Sequence, residues 1–193
     1  MTDPDATAAP AAPPVPLPAG AVLPDHIDAG MRALFETTTA AAAAGATAGL
    51  PAGTWDATDA AVLAAANAVA GELNWRMGVR ITEFGPDRLV ATMPVAGNRQ
   101  PYGLLHGGAN GVLAETLGSF HAGMLAGPGR VAVGTELNCT HHLAATGGLV
   151  RGVCMPIHVG RTTMSFDIVI SRDDGRRTCT ARLSCLVREA PAG

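Results

Sequence analysis

Two periods of apolar residues divide this chain. Between about residues 76 and 95 apolar side chains recur at every second position. Met77, Val79 and Ile81 alternate with Arg76, Gly78 and Arg80. After Gly85-Pro86-Asp87, a turn signal, Leu89, Ala91, Met93 and Val95 alternate with Arg88, Val90 and Thr92. A period of two is that of a strand with one buried face, so this segment reads as an antiparallel hairpin beginning after Trp75. The period then changes. Ala109, Val112, Leu113, Leu117, Phe120 and Met124 recur at helical spacing until Gly127-Pro128-Gly129 stops the run. Four more strands are expected beyond it, at about 130–142, 148–158, 162–172 and 177–188. Gly147-Gly148 and Asp173-Asp174-Gly175 supply two of the turns.

Upstream of the hairpin the pattern is helical. A helix is expected over about 56–74, capped by Thr54, Asp56 or Thr58, with Val62, Leu63, Ala66, Val69, Ala70 and Leu73 on its buried side. A shorter helical stretch, about 25–44, carries Met31, Leu34 and Phe35 and ends at Gly45, Gly49, Pro51 and Gly53. Residues 1–24 hold seven of the fourteen prolines and read as a disordered tail. They lack the basic start and unbroken apolar core of a secretory signal. The chain thus divides into a tail (1–24), a helical extension (25–74) and a domain over 75–190. Helix, two strands, long helix and four strands make an α+β pattern, which several folds share.

Composition narrows the chemistry. The formal net charge is −3, so nothing points to nucleic acid or an anionic membrane. There is no lysine among the thirteen basic residues, which removes Schiff-base chemistry and a Walker-type phosphate loop. The four cysteines, 139, 154, 179 and 185, form no C-x-x-C pair. They read as small buried apolar groups in a reducing compartment, the cytoplasm. No apolar run is long enough to span a bilayer.

The densest chemistry lies in Gln100-Pro101-Tyr102-Gly103-Leu104-Leu105-His106-Gly107-Gly108, a loop leading into the central helix. A helix start leaves backbone N–H groups without partners, and glycines let a ligand approach them. Glu115 is the one charge inside the apolar helix. Ser119 follows four residues later and shares its face. A buried carboxylate is either paired, here with Ser119 or an arginine, or used in a reaction. Such a carboxylate can activate a water or attack a carbonyl, and the residues do not separate these roles.

This loop and helix resemble the hotdog-fold acyl-CoA thioesterases of the PaaI-like branch. Those enzymes carry Gln-Pro-x-Gly-x-x-His-Gly-Gly, an acid nine residues after the His, and a Ser or Thr one turn later. Two further segments match. Gly134-Thr135-Glu136-Leu137-Asn138-Cys139-Thr140-His141 is similar to the family Gly-x-Glu-x-Asn-x-x-His. Pro156-Ile157-His158-Val159-Gly160-Arg161 is similar to its Pro-Leu-His-x-Gly-Arg. His142 departs from the family, where an apolar residue is usual.

The resemblance implies an antiparallel sheet wrapped around one long helix. It also implies hydrolysis of an acyl-CoA to a carboxylic acid and free CoA, with no cofactor, since CoA is part of the substrate. Glu115 is then base or nucleophile, and the Gly107 N–H polarises the thioester carbonyl. His106 and Gln100 stand near that carbonyl, and Ser119 holds the acid or the water. Gly134, His141 and His142 are expected to contact substrate. His158, Val159, Gly160, Arg161 and Thr162 are expected to lie along the CoA arm, with the Arg161 guanidinium suited to a phosphate. Neighbouring strand residues face opposite ways, so His141 and His142 are not expected to share a metal, and no metal site is foreseen.

By the same resemblance the site spans two subunits of a homodimer, and such dimers pair further into tetramers. Two rivals differ in class. A non-catalytic acyl-CoA-binding hotdog module would need no Glu115. A hotdog hydratase would place its His and acid differently.

Overall fold

In the computed structural model, residues 57–127 and 129–190 are described. The expected tail and the helical stretch 25–44 lie outside them. Helix α1, Ala60–Ala68, starts where the Asp59 carboxylate accepts from the Ala61 and Val62 N–H groups at 2.8 and 3.1 Å. Asp59 thus caps the helix, in place of the three residues expected. Val62 and Ala66 are buried in the same core as the sheet. Asn67 ties α1 to the first strand through Ile81, donating to its carbonyl and accepting from its N–H, each at 2.9 Å.

The expected single helix over 56–74 is broken. The first helix stops at Ala68 with Val69 as its C-cap, and after Gly71, at φ +83°, a second short helix, α2 (Glu72–Arg76), begins in a new direction. Leu73 falls on a new face as a result and is 56% exposed, although the continuous pattern placed it inside. The alternation after Trp75 is also not a strand at first. Gly78 turns the chain at φ +72°, and strand β1 runs only over Arg80–Phe84.

Strands β2 (Leu89–Pro94), β3 (Arg130–His141), β4 (Leu149–Val159), β5 (Thr163–Arg172) and β6 (Arg177–Glu189) complete the sheet. The last four lie within a residue of their expected bounds. The order is β1-β2-β4-β5-β6-β3, and every pairing is antiparallel. Irregularities at Ile81/Glu83, Gly134/Glu136, Pro156/His158 and Ile170/Ser171 interrupt the ladders. Bulges of this kind bend a strand and increase its twist.

Helix α3, Gly107–Ala126, packs against β2 through β6. Ala109, Leu113, Leu117 and Met124 form its core stripe. Two glycines let it approach the sheet. A β-carbon on Gly118 would stand 2.4 Å from Leu183 Cδ2, and one on Gly152 would stand 2.5 Å from Leu117 Cδ1. Overpacking at such contacts costs about 1–3 kcal/mol. The expected helix members Val112 and Phe120 are only half-buried and face a different side, beside Glu115. Burial pushes the Cys179 thiol up to about 12 and the Cys185 thiol up to about 11. Both stay protonated at neutral pH and act as small core groups. Among the described residues no helix is long and apolar enough to cross a membrane.

His121 continues the core stripe as a buried imidazole. Its ring nitrogen Nε2 is 2.8 Å from the Pro86 carbonyl, to which it donates, and its ring centre is 5.2 Å from that of Phe166. Burial holds its pKa below the ordinary histidine value, against smaller raising effects of the Pro86 hydrogen bond and the Asp87 charge. The unfolded chain therefore takes up a proton at higher pH than the folded one, and stability falls as pH drops through the ordinary histidine range. Thermal melts from pH 8 to pH 5 are expected to show a steeper loss for the wild type than for His121→Leu. Equal slopes would show that His121 does not carry this dependence.

Candidate active site

The start of α3 decides which backbone donor stays open. His106 is the N-cap, extended at φ −64° and ψ 133°. Its Nδ1 accepts from the Gly108 N–H at 2.8 Å, and its carbonyl accepts from the Ala109 N–H at 2.9 Å. The Gly107 N–H between them has no acceptor among the described residues, and the positive end of the helix dipole lies there. The side chain of His106 thus serves the helix start. The loop before it is closed by the bond from Gln100 N–H to the Leu104 carbonyl and turned by Gly103 at φ +78°. Gln100 Oε1 accepts from the Tyr102 N–H, which leaves its amide nitrogen as the free end of the side chain.

Glu115 sits two turns further along α3. The Ser119 hydroxyl donates to its Oε1 at 3.0 Å. Among the described residues no arginine or histidine forms an ion pair with it. Gly134 of β3 makes room for the carboxylate: a β-carbon there would stand 2.2 Å from Glu115 Oε1. Glu115 and Ser119 border a cavity of about 570 Å³ whose apolar wall includes Val112, Phe120, Leu137 and Leu73. Leu73 belongs to α2, which is held to α3 by a bond of 2.6 Å from the Thr116 hydroxyl to Asn74 Oδ1.

Gly107 does not open into that cavity. With Gln100, Asn110, His141 and His142 it lines another, of about 370 Å³. The expected separation of His141 from His142 by strand alternation does not hold here, because β3 ends at His141 and His142 lies beyond the ladder. The His142 ring is 2.8 Å from the Thr180 hydroxyl. Among the described residues no group of three His, Cys, Asp or Glu side chains is placed to hold a metal ion.

The segment from His158 to Thr162 covers the end of β4 and the turn into β5. Gly160 is required by close approach, since a β-carbon would stand 2.6 Å from His158 Nε2 and 2.8 Å from the Thr163 carbonyl oxygen. The Thr162 carbonyl accepts from the Val187 N–H at 2.8 Å, and the Arg161 carbonyl accepts from the Arg130 guanidinium. Among the described residues the Arg161 guanidinium has no carboxylate partner. Val159 is half-exposed at the end of β4.

The strand register sorts these residues into two groups. Gly134 is opposite Cys185 and lies with Glu115, Ser119 and, across β6, the turn carrying Arg161. His141 is opposite Cys179 and lies with Gly107, Gln100 and His106 at the other end of β3. Sequence reasoning missed Asn110, which is 5% exposed with its Nδ2 3.3 Å from His141 Nδ1. The available signal was an amide inside an otherwise apolar helix start.

Comparison with known proteins agrees with this architecture. Residues 102–179 match the model of the thioesterase superfamily. The chain is 49% identical over 118 residues to the proofreading thioesterase EntH of Cronobacter turicensis, covering 61% of this chain and 86% of that one. A mutant thioesterase, PA1618, from Pseudomonas aeruginosa superimposes with a TM-score of 0.64 at 39% identity, over 66% of this chain and 94% of that one. Thioesterase HI1161 from Haemophilus influenzae does so with a TM-score of 0.60 at 33% identity, over 62% and 84%. With its helix against a six-stranded antiparallel sheet and relatives that are thioesterases, the chain belongs to the thioesterase superfamily and is a hotdog-fold thioester hydrolase.

Proposed function

We propose that the substrate is an acyl-CoA, hydrolysed to a carboxylic acid and free CoA at a site shared by two copies of this chain. The division of the chemical groups along α3 carries this reading. Gly107 and Glu115 are eight residues apart, about 12 Å of helical rise, and border different cavities. A thioester carbon must be within about 3–3.5 Å of its attacker while its oxygen meets a donor. One chain alone does not bring the two groups that close.

A second copy does so through β3. This strand is one of the two sheet edges, has no partner on its outer side among the described residues, and exposes much of its length, including Val133 at 50%. An unpaired edge of twelve residues is a template for another strand. Antiparallel pairing of two β3 edges about a two-fold axis sets the Gly134 end of one against the His141 end of the other. Glu115 and Ser119 of each subunit then face Gly107, His106 and Gln100 of its partner, and dimers pair further into a tetramer.

In the reaction, Gly107 N–H and the Gln100 amide receive the thioester oxygen. Glu115, held by Ser119, attacks the carbonyl carbon or removes a proton from the attacking water. The thiolate of CoA leaves. Val112, Phe120, Leu137 and Leu73 offer an apolar seat for the acyl group. The end of β4 and its turn, from His158 to Thr162, lie along the CoA arm, and Arg161 meets a phosphate with its charge and donors. His141 and His142 complete the wall around the carbonyl.

Replacing Glu115 by Gln preserves shape and removes the basic carboxylate. The expected result is a fall in kcat of at least about a hundredfold with little change in KM, measured by release of thiol from a panel of acyl-CoA substrates. Near-normal turnover would refute the role of Glu115.

The shared site predicts complementation. Glu115→Gln and Gly107→Pro are each inactive as homodimers, the second because proline has no N–H. Mixed through a denatured state, they are expected to recover about a quarter of the wild-type rate, since random pairing makes half the dimers mixed and each mixed dimer has one intact site. Verified heterodimers that stay inactive would exclude a shared site.

Arg161→Ala is expected to raise KM for acyl-CoA on the order of tenfold with kcat largely kept, the mark of lost uniform binding. The same acyl group on N-acetylcysteamine has no phosphate, so its kcat/KM should be nearly equal for wild type and variant. Equal damage to both substrates would remove Arg161 from CoA recognition.

A further inference from the structure

Asn110 is a buried polar side chain that the reaction as described leaves unused. It lies three residues after Gly107 on α3, on the same side of the helix. Its Nδ2 is 3.3 Å from His141 Nδ1, and its Oδ1 is buried with no partner among the described residues. The cavity that Asn110 shares with Gln100, Gly107 and His141 has no carboxylate in its lining. With the amide nitrogen turned to the ring, it donates and His141 Nδ1 accepts. A neutral imidazole with one nitrogen accepting carries its proton on the other.

That other nitrogen points at the helix start. His141 Nε2 is 2.9 Å from where a β-carbon on Gly107 would stand. Two bonds more reach the Gly107 nitrogen, so the two nitrogens are no more than about 6 Å apart. Donors so spaced can each come within about 3 Å of one oxygen. We infer that Asn110 is a positioning residue that holds His141 with its proton on Nε2, so that the thioester oxygen is received by the His141 Nε2–H as well as the Gly107 N–H.

The arrangement is the reverse of a catalytic triad. There a carboxylate takes the Nδ1 proton and leaves Nε2 free to act as a base. Here an amide donates to Nδ1 and makes Nε2 a donor, leaving the work of a base to Glu115. A carboxylate at position 110 would turn the ring's proton the wrong way. An apolar side chain would leave it unspecified.

This inference rests on the thioesterase site proposed above, and its tests separate the two. The first uses the wild-type protein without substrate. In a nitrogen-15 spectrum of histidine-labelled protein, His141 is assigned by the signals lost in His141→Gln. The expected neutral form carries its proton on Nε2. A proton on Nδ1 would overturn the inference while leaving Glu115 untouched. Full turnover of Glu115→Gln would do the opposite.

The second test is Asn110→Asp. Its carboxylate favours the imidazolium, which still has an Nε2–H, and in the neutral ring it draws the proton to Nδ1. The kcat of this variant is expected to fall on the order of tenfold or more as rising pH removes the proton from its imidazolium, while the wild type keeps its rate. Asn110→Ala leaves the ring unconstrained and should lose less than the Asp variant at the high-pH end.

The other titratable groups near His141 are His106, His142, Cys139 and Cys179. Burial raises both thiols, so they stay neutral at the start of this range, and all four groups are the same in the wild type and in both Asn110 variants. A variant profile parallel to wild type, or an Ala variant more damaged at high pH than the Asp variant, would overturn the inference.

Discussion

Helix α3 must be buried along most of its circumference and still carry a carboxylate. The glycine contacts resolve this conflict. Gly118 receives Leu183, and Gly152 receives Leu117, so the core stripe sits deep against the sheet. Depth on that side leaves a separate stripe, Val112, Glu115, Ser119 and Phe120, along a cavity. Glu115 is thus half-buried, with one hydroxyl donor and no cation among the described residues. Gly134 repeats the device at the edge strand, where the missing side chain gives the carboxylate its space.

The same edge strand divides the chemistry. Its Gly134 end belongs with Glu115 and its His141 end with the start of α3. Pairing two such edges about a two-fold axis would satisfy exposed backbone and join the two halves in a single step. In that proposal the interface and the catalytic site are one feature, so loss of pairing removes both stability and activity.

Around the helix start, hydrogen bonding is selective. His106 satisfies Gly108 and Ala109 and leaves Gly107 open. Asn110 spends its amide donor on His141 and keeps an unpaired oxygen buried. Unsatisfied buried groups cost stability, and they persist where a function holds them. His121 shows the contrast. It too has an unpaired ring nitrogen, yet it sits in the core beside Phe166, away from both cavities, where its titration affects folding.

The sequence by itself determined the elements whose signals are local. Glycine-rich turn signals, at Gly127-Pro128-Gly129, Gly147-Gly148 and Asp173-Asp174-Gly175, bounded β3 through β6 to within a residue, and helical spacing with a glycine stop set most of α3. The motif resemblance identified the hotdog arrangement and named the candidate residues around Gly107, Glu115 and Arg161. Tertiary structure decided the rest. The break at Gly71 and the short helix after it disrupted a continuous apolar pattern, because one positive φ changes the phase of everything that follows. Strand alternation separated His141 from His142, whereas the end of the β3 ladder released His142 from that rule. The pairing of Asn110 with His141, and of Glu115 with the space above Gly134, depends on contacts between residues 31 and 19 positions apart. Such contacts leave no period in a sequence, because packing across the sheet and helix sets them.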